Sequence, residues 1–476
     1  MTTSISKTTS CAQKIRSLDS SVFNSCSIYQ LANLSFAAVF YGVIFNSFFV
    51  SLTVILFGSI LIFCAKKSFV SDKMTDVVSF SFIFGIFIAG LIYFGYSADY
   101  GVPFWVPGVD DQKYEQVANY IFNSGYVTVF DMFQDSDKYI RTHNAKGWVM
   151  FLAYLMHIGD FLDGYHTMVP RIISLFALNV MGIIIVYHFR CKCHTSGKWN
   201  ILMFFCMTLL PNAVILSSHI YRDTMSALLV TSCYFIALRL YEKKHIIRNL
   251  LAIGILAYMS YWLRAMNLFF IAGLCIIALL PETINRKQLG ITLAVLMGIA
   301  VLTAIVLFGV FGDLFLGYVI RYGESIAGGE GRFASLIYGV PLLPFGIFLR
   351  MSLYLVTPFY YRIVFDPMLW FASTENITYL LASLGTLALA ANYVYVFKGA
   401  KADYKTALAL LLILIGICIS TSGYRHIMMV YPLLILLIAE GRYDVKKTPH
   451  KKAAYKNASL LFLSSLCLLF CIVSIV

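Results

Sequence analysis

The chain has 476 residues, 60% of them hydrophobic and only 12% charged, with 39 Phe and 31 Tyr. A water-soluble domain runs at about half apolar and a quarter charged, because polar side chains must cover its surface; a soluble enzyme, a disordered chain and a secreted disulfide scaffold are therefore excluded. The net charge of +13 sits in short basic runs between apolar stretches, such as Lys66-Lys67, Lys243-Lys244, Lys446-Lys447 and Lys451-Lys452, which is the pattern of cytoplasmic membrane loops and not of a nucleic-acid surface.

In chain order, a Ser/Thr-rich segment without a signal-peptide pattern precedes apolar runs at 29–48 and 51–65. Further runs lie at 77–97, 167–188, 199–217, 224–241, 249–262, 266–281, 288–312, 376–397, 404–421, 427–440 and 456–476. A span needs about 20 largely apolar residues. Reading each run as one span predicts an all-α polytopic membrane protein of about 13 (12–14) transmembrane helices. Two more segments, 147–158 and 336–358, are interrupted by Gly, Pro or Arg. They are expected to be re-entrant or interfacial helices on the outer side, where irregular backbone is tolerated against protein. The organisation that follows is a cytoplasmic tail (1–28), a transmembrane hairpin (29–76), a core (77–440) with outer loops 98–166 and 313–375, and a basic cytoplasmic loop with a last span (441–476).

Charge counting favours this layout with the N-terminus inside. The 36 basic and 23 acidic residues divide as 24 and 8 on the inner side and 12 and 15 on the outer, which is +16 against −3. That asymmetry is what the positive-inside rule describes. The basic balance thus reports orientation and says little about partners.

The largest outer segment, Ser97 to Lys146, is rich in carboxylates. Its centre places Asp110 and Asp111 after a Pro/Gly turn, followed by residues of helical periodicity, with Glu115 one turn beyond Asp111 on the same face. Helix capping and a favourable dipole explain one Asp there. Two adjacent aspartates and a same-face Glu also suit a general base, or an anchor for a sugar hydroxyl, at the membrane surface. The group Asp131, Asp135 and Asp137 lacks the Gly and terminal Glu of an EF-type calcium loop and reads as a solvated turn.

Beyond Lys146 every basic residue assigned outside is arginine: Arg171, Arg222, Arg264, Arg321, Arg332, Arg350, Arg362 and Arg425. Any one of them is explained by snorkelling or by a neighbouring acid, as Arg222 by Asp223. Together they fit an anionic ligand, since the guanidinium fork matches phosphate oxygens in pairs. Arg321 and Arg332 bracket a glycine-rich loop that lacks the Lys-Ser/Thr of a nucleotide P-loop and suits a lid. No metal site is expected. His143, His157 and His166 have no ligand spacing, and Cys191-Lys-Cys193-His194 offers too few ligands. No cofactor motif or Gly-x-Ser-x-Gly elbow occurs.

The order of these features resembles the GT-C superfamily of membrane glycosyltransferases, which use polyprenyl-phosphate or pyrophosphate sugars. Asp110-Asp111-x-x-Tyr114-x-x-x-Ala118 resembles the acidic signature of that superfamily's early outer loop. His143-Asn-Ala-Lys-Gly147-Trp148 resembles the start of its interfacial helix without the usual prolines, and Pro170-Arg171 opens the next span as in the family. Ser217-Ser218-His-Ile-Tyr-Arg222-Asp223, Tyr261-Trp262-Leu-Arg264 and Gly423-Tyr424-Arg425-His426 resemble later hairpins of the same pattern. The match covers roughly 77–440 and is similar also to bacterial O-antigen polymerases, which join lipid-linked oligosaccharides. The resemblance implies a GT-C-like bundle in the bacterial inner membrane with its active site facing the periplasm. It also implies an inverting, metal-independent glycosyl transfer in surface-polysaccharide assembly. Asp110 or Asp111 would be the base, with Glu115 beside them. Arg171, Arg222, Asp223, Arg264, Arg321, Arg332, Arg350, Arg425 and His143 would hold an undecaprenyl-linked donor. The other partners implied are a glycan acceptor, membrane lipids and proteins of polysaccharide assembly. A flippase for the same lipid-linked saccharides is the alternative; it would place its site on broken helices near the midplane.

Overall fold

The structure is a computed structural model and describes residues 26–69, 71–108, 110–125, 146–195, 197–241, 245–281, 340, 345–420 and 424–475. Every regular element among the described residues is helical. In chain order these are α1 (Cys26–Phe45), α2 (Phe48–Ser68), α3 (Asp72–Tyr100), α4 (Asp110–Asn123), α5 (Lys146–Asp160), α6 (Met168–Cys193), α7 (Gly197–Thr208), α8 (Pro211–Ser217) and α9 (Asp223–Tyr241). There follow α10 (Ile246–Leu263), α11 (Asn267–Ala278), α12 (Ile347–Val356), α13 (Tyr361–Phe365), α14 (Thr374–Ala390), α15 (Tyr393–Ala402), α16 (Tyr404–Ser420), α17 (Tyr431–Lys446) and α18 (Pro449–Ile475). Short 3₁₀ turns occupy Val106–Gly108, Pro367–Leu369 and Tyr424–Met429.

Five of these helices, α2, α3, α6, α9 and α10, are long and apolar enough to cross a membrane. Two bent pairs, α7–α8 at 50° and α14–α15 at 49°, raise the number to seven if each is one broken span. The expectation of about thirteen spans is not supported. Three of the expected spans fold as apolar helices below spanning length or contain one, Tyr29–Ile44, Asn267–Ala278 and Tyr404–Ile419, and the segment expected to be re-entrant or interfacial contains the short apolar helix Ile347–Val356. The run 288–312 lies outside the described residues. Hydropathy sums apolar character along the chain, and it does not register where the helix stops or turns.

Local chemistry explains the main boundaries. The α1–α2 turn uses Asn46 at φ +47, and Ser47 accepts the Val50 amide at 3.3 Å. The Asp163 carboxylate completes that cap from a distant loop by accepting the Phe48 and Phe49 amides. The helix α3 ends on Gly101 at φ +71, the left-handed C-cap. Pro211 begins α8 and has no amide to continue α7, which accounts for the first bend. The closest crossing is α15 on α17, where Gly399 and Gly441 let the backbones touch. A Cβ on Gly441 would lie 2.0 Å from the Tyr395 carbonyl oxygen.

The polar side chains gather at two opposite ends. Lys192, Asp403 and Glu440 meet where α6 ends, α16 begins and α17 nears its end. Asp110, Arg171, Asp223, Arg264 and Arg425 all lie at the other end, where α4, α6 and α9 begin and α10 stops. The basic stretch after 440 continues as helix, with α17 running to Lys446 and α18 starting at Pro449.

Candidate functional site

Three interruptions of the bundle meet at the carboxylate end. After α8 the chain runs through Ser218 to Arg222 without regular structure yet fully buried. Buried irregular backbone needs explicit partners. Trp148 of α5 donates its indole N–H to the Ile220 carbonyl at 3.0 Å, and Arg222 donates to the Leu263 carbonyl at 2.8 Å. His219 Nδ1 lies 2.7 Å from the Ile215 carbonyl and must donate to it. The second interruption is the end of α10 at Arg264, and the third is the 3₁₀ turn holding Tyr424, Arg425 and His426.

These interruptions assemble a chain of charges. Arg425 Nη1 lies 2.5 Å from Asp110 Oδ2, its Nε lies 3.6 Å from Asp223 Oδ2, and its guanidinium stands over the Tyr221 ring. His426 Nδ1 is 2.7 Å from Asp223 Oδ1 and 2.8 Å from Arg264 Nη1. One nitrogen fills one role at a time: protonated it donates to Asp223, and bare it accepts from Arg264. Burial, aided by the Arg264 charge, pushes the His426 imidazole down to about 3 against the pull of Asp223, so the ring is neutral at pH 7.

Asp111 stands apart from that chain. It opens α4 beside Asp110, is 1% exposed, and neither carboxyl oxygen has a hydrogen-bond partner. Burial raises its proton affinity above the usual carboxylate range, opposed by the charges of His219, Arg171 and Arg425. The Ile220 amide also favours the ionised form, without reaching hydrogen-bond geometry. Arg171 answers it from the start of α6. It is fully buried, donates Nη2 to the Pro103 carbonyl and lies over the Tyr93 ring, while its Nε and Nη1 have no hydrogen-bond partner. A carboxylate and a guanidinium edge without hydrogen-bond partners thus lie within electrostatic reach of one another in a buried region, and leaving each group unsatisfied costs about 1–3 kcal/mol or more. His219 and Tyr424, within electrostatic reach of Asp111, also line a small cavity of about 10 Å³ with Trp105 and Tyr379. That is room for about one water.

Glu115 lies one turn beyond Asp111 on α4, within electrostatic reach of Asp111 and Arg171. Tyr165 donates to its Oε2 at 3.2 Å, and the carboxyl borders a groove of about 360 Å³ between α4 and α5. Burial pushes the Glu115 carboxyl up to about 7, against the Tyr165 hydrogen bond and the Arg171 charge.

Of the residues singled out in the sequence, Asp110, Asp111, Arg171, Arg222, Asp223, Arg264 and Arg425 come together at this end. Arg350 does not join them; it lies on α12, which packs on α16, and its charge bears on Cys418. His143, Arg321 and Arg332 lie outside the described residues. The sequence reading passed over His219, Tyr221 and His426. His426 follows Arg425 directly, and that adjacency was the one available signal. Among the described residues one group could offer three metal ligands, His188, Asp403 and Glu440, at the opposite end. The Lys192 ammonium already lies 2.5 Å from Asp403 and 2.9 Å from Glu440, filling the place of a cation.

Fold and site together define an all-helical chain with several helices of membrane-spanning length and a buried acid–arginine site at one end. No protein-family model matches the chain, and neither a curated protein nor a solved structure is similar enough to count as a match.

Proposed function

We propose that this protein is a membrane-embedded glycosyltransferase of GT-C type that acts on polyprenyl-phosphate- or pyrophosphate-linked sugars on the outer face of a bacterial inner membrane. Its role is surface-polysaccharide assembly, including the joining of lipid-linked repeat units. The observation that carries this reading is the buried Asp111 carboxylate with both oxygens lacking a hydrogen-bond partner, within electrostatic reach of an Arg171 edge that lacks one too. Asp110 is engaged with Arg425, which leaves Asp111 as the base. A base is most effective when its proton affinity is raised toward the working pH, and burial supplies that rise. Asp111 takes the proton of the acceptor hydroxyl as the oxygen attacks the anomeric carbon. Arg171 and Arg425 stabilise the charge that develops on the departing lipid phosphate. Burial and the Arg264 charge keep His426 neutral, and the contacts of His426 with Arg264 and Asp223 fix the Arg425 turn.

The bends at α7–α8 and α14–α15 favour the second reading, a flippase for lipid-linked saccharides, because transporters build their sites on broken helices. Reconstitution with a defined undecaprenyl-diphosphate oligosaccharide separates the two. The transferase forms a new glycosidic bond when donor and acceptor are on the same face. Movement of the lipid between leaflets with no new bond would leave the flippase.

A further inference from the structure

We propose that the groove between α4, α5 and the turn at 160–165 binds an uncharged saccharide. The groove holds about 360 Å³, within the range of small-molecule sites. One wall is the face of α4 bearing Gln112, Gln116 and Asn119, spaced at i, i+4 and i+7 so that they project together. Side-chain amides both donate and accept, as sugar hydroxyls require. Phe104, Phe122 and Tyr165 supply flat apolar walls for the C–H face of a sugar ring.

The charge of the lining narrows the ligand further. Among the described residues no lysine or arginine lines the groove, while Glu115 and Asp160 do. A phosphate or an anionic lipid headgroup would meet two carboxyls and no cation among those residues. With its carboxyl pushed up to about 7, Glu115 is partly protonated at neutral pH and can donate as well as accept. Gln112, Gln116 and Asp160 line the groove and make no hydrogen bond to another described residue. Glu115 lies one helical turn from Asp111, about 6 Å along the axis, so a bound sugar ends close to the base. Naming this sugar the acceptor rests on the glycosyltransferase reading; binding in the groove does not.

The test is saturation-transfer NMR on the full-length protein in nanodiscs. The probes are the methyl glycosides of glucose, galactose, mannose, rhamnose and N-acetylglucosamine, with glycerol phosphate as the anionic control. Saturation is expected at one or more of the glycosides and not at glycerol phosphate. It should be lost in the double variant Gln112→Ala/Gln116→Ala, whose thermal unfolding stays at the wild-type temperature, and retained in Asp111→Asn. The proposal is overturned if no glycoside receives saturation, if the double variant receives as much as wild type, or if glycerol phosphate displaces the sugar. Loss of glycan transfer in Asp111→Asn with sugar binding intact supports both proposals. Transfer intact in Asp111→Asn removes the assignment of the base and leaves the groove standing.

Discussion

At one end of the bundle, Lys192 lies between Asp403 and Glu440 at 2.5 and 2.9 Å, and Asp403 accepts the amide and hydroxyl of Thr406 at 3.0 and 2.6 Å. At the other end, Asp111 and Arg171 are equally buried and within electrostatic reach, yet two carboxyl oxygens and two guanidinium nitrogens have no partner. Both ends collect charge in a low-dielectric setting, where an unpaired charge costs several kcal/mol. At the lysine end Lys192 lies within ion-pair distance of both carboxylates and ties α6, α16 and α17 together, although the buried Glu440 oxygens have no hydrogen-bond partner of good geometry. The carboxylate end is matched only in part, by Arg425 with Asp110 and by His426 with Asp223. Among the described residues Asp111 has no cation within ion-pair distance while Asp403 and Glu440 share one, and that difference separates the two ends.

Variants at the lysine end should cost stability first. Gly441→Leu puts a side chain onto the Tyr395 carbonyl, where even a Cβ would sit at 2.0 Å. It should cost about 3 kcal/mol or more, seen as loss of folded, monodisperse protein in detergent. Lys192→Met leaves Asp403 and Glu440 facing one another. Complete burial would make this about 3–5 kcal/mol; because the Lys192 side chain is 33% exposed, roughly 2–3 kcal/mol is expected, read as a lowered Tm. A wild-type Tm in Lys192→Met would erase the contrast between the two ends.

Two smaller effects sharpen the contrast at the carboxylate end. The folded Glu115 carboxyl holds its proton to about pH 7, against an ordinary value of 4.5. The folded state therefore binds more protons than the unfolded one between those values, and this residue's contribution to stability falls as pH rises from 4.5 to 7. Relative to Glu115→Gln, wild type should lose Tm across that window and run parallel to it above. A flat difference would mean that Glu115 is solvated. Asp163→Ala removes the cap of α2 and should lower stability by about 1 kcal/mol, with transfer activity unchanged.

Much of this contrast was legible in the sequence, in parts. The turn before Asp110 and the periodicity after it forecast a helix, and α4 begins at Asp110. The interrupted segment 147–158 folds as the amphipathic α5. The arginine-only pattern drew attention to Arg171, Arg222, Arg264 and Arg425, which do meet acids and polar backbone at one end. Sequence spacing could not show that Asp110 and Asp111 take different roles, because adjacent residues on a helix diverge by about 100°; one reaches Arg425 and the other turns inward. His426 stands in the quoted motif Gly423-Tyr424-Arg425-His426, but its pairing with Asp223 was not legible, because the two are 203 residues apart. The number of spans was overcounted because short and bent helices have the same composition as straight ones.

The central claim is that Asp111 is kept unpartnered for chemistry and at a cost in stability. Purified Asp111→Asn, measured beside wild type for both glycosidic bond formation from an undecaprenyl-diphosphate oligosaccharide and Tm, tests it directly. The account predicts a loss of transfer of roughly 10²–10⁴-fold with Tm unchanged or raised, since a buried unpaired carboxyl has been replaced by a neutral amide. Transfer at the wild-type rate, or lost only together with a lowered Tm, would contradict it.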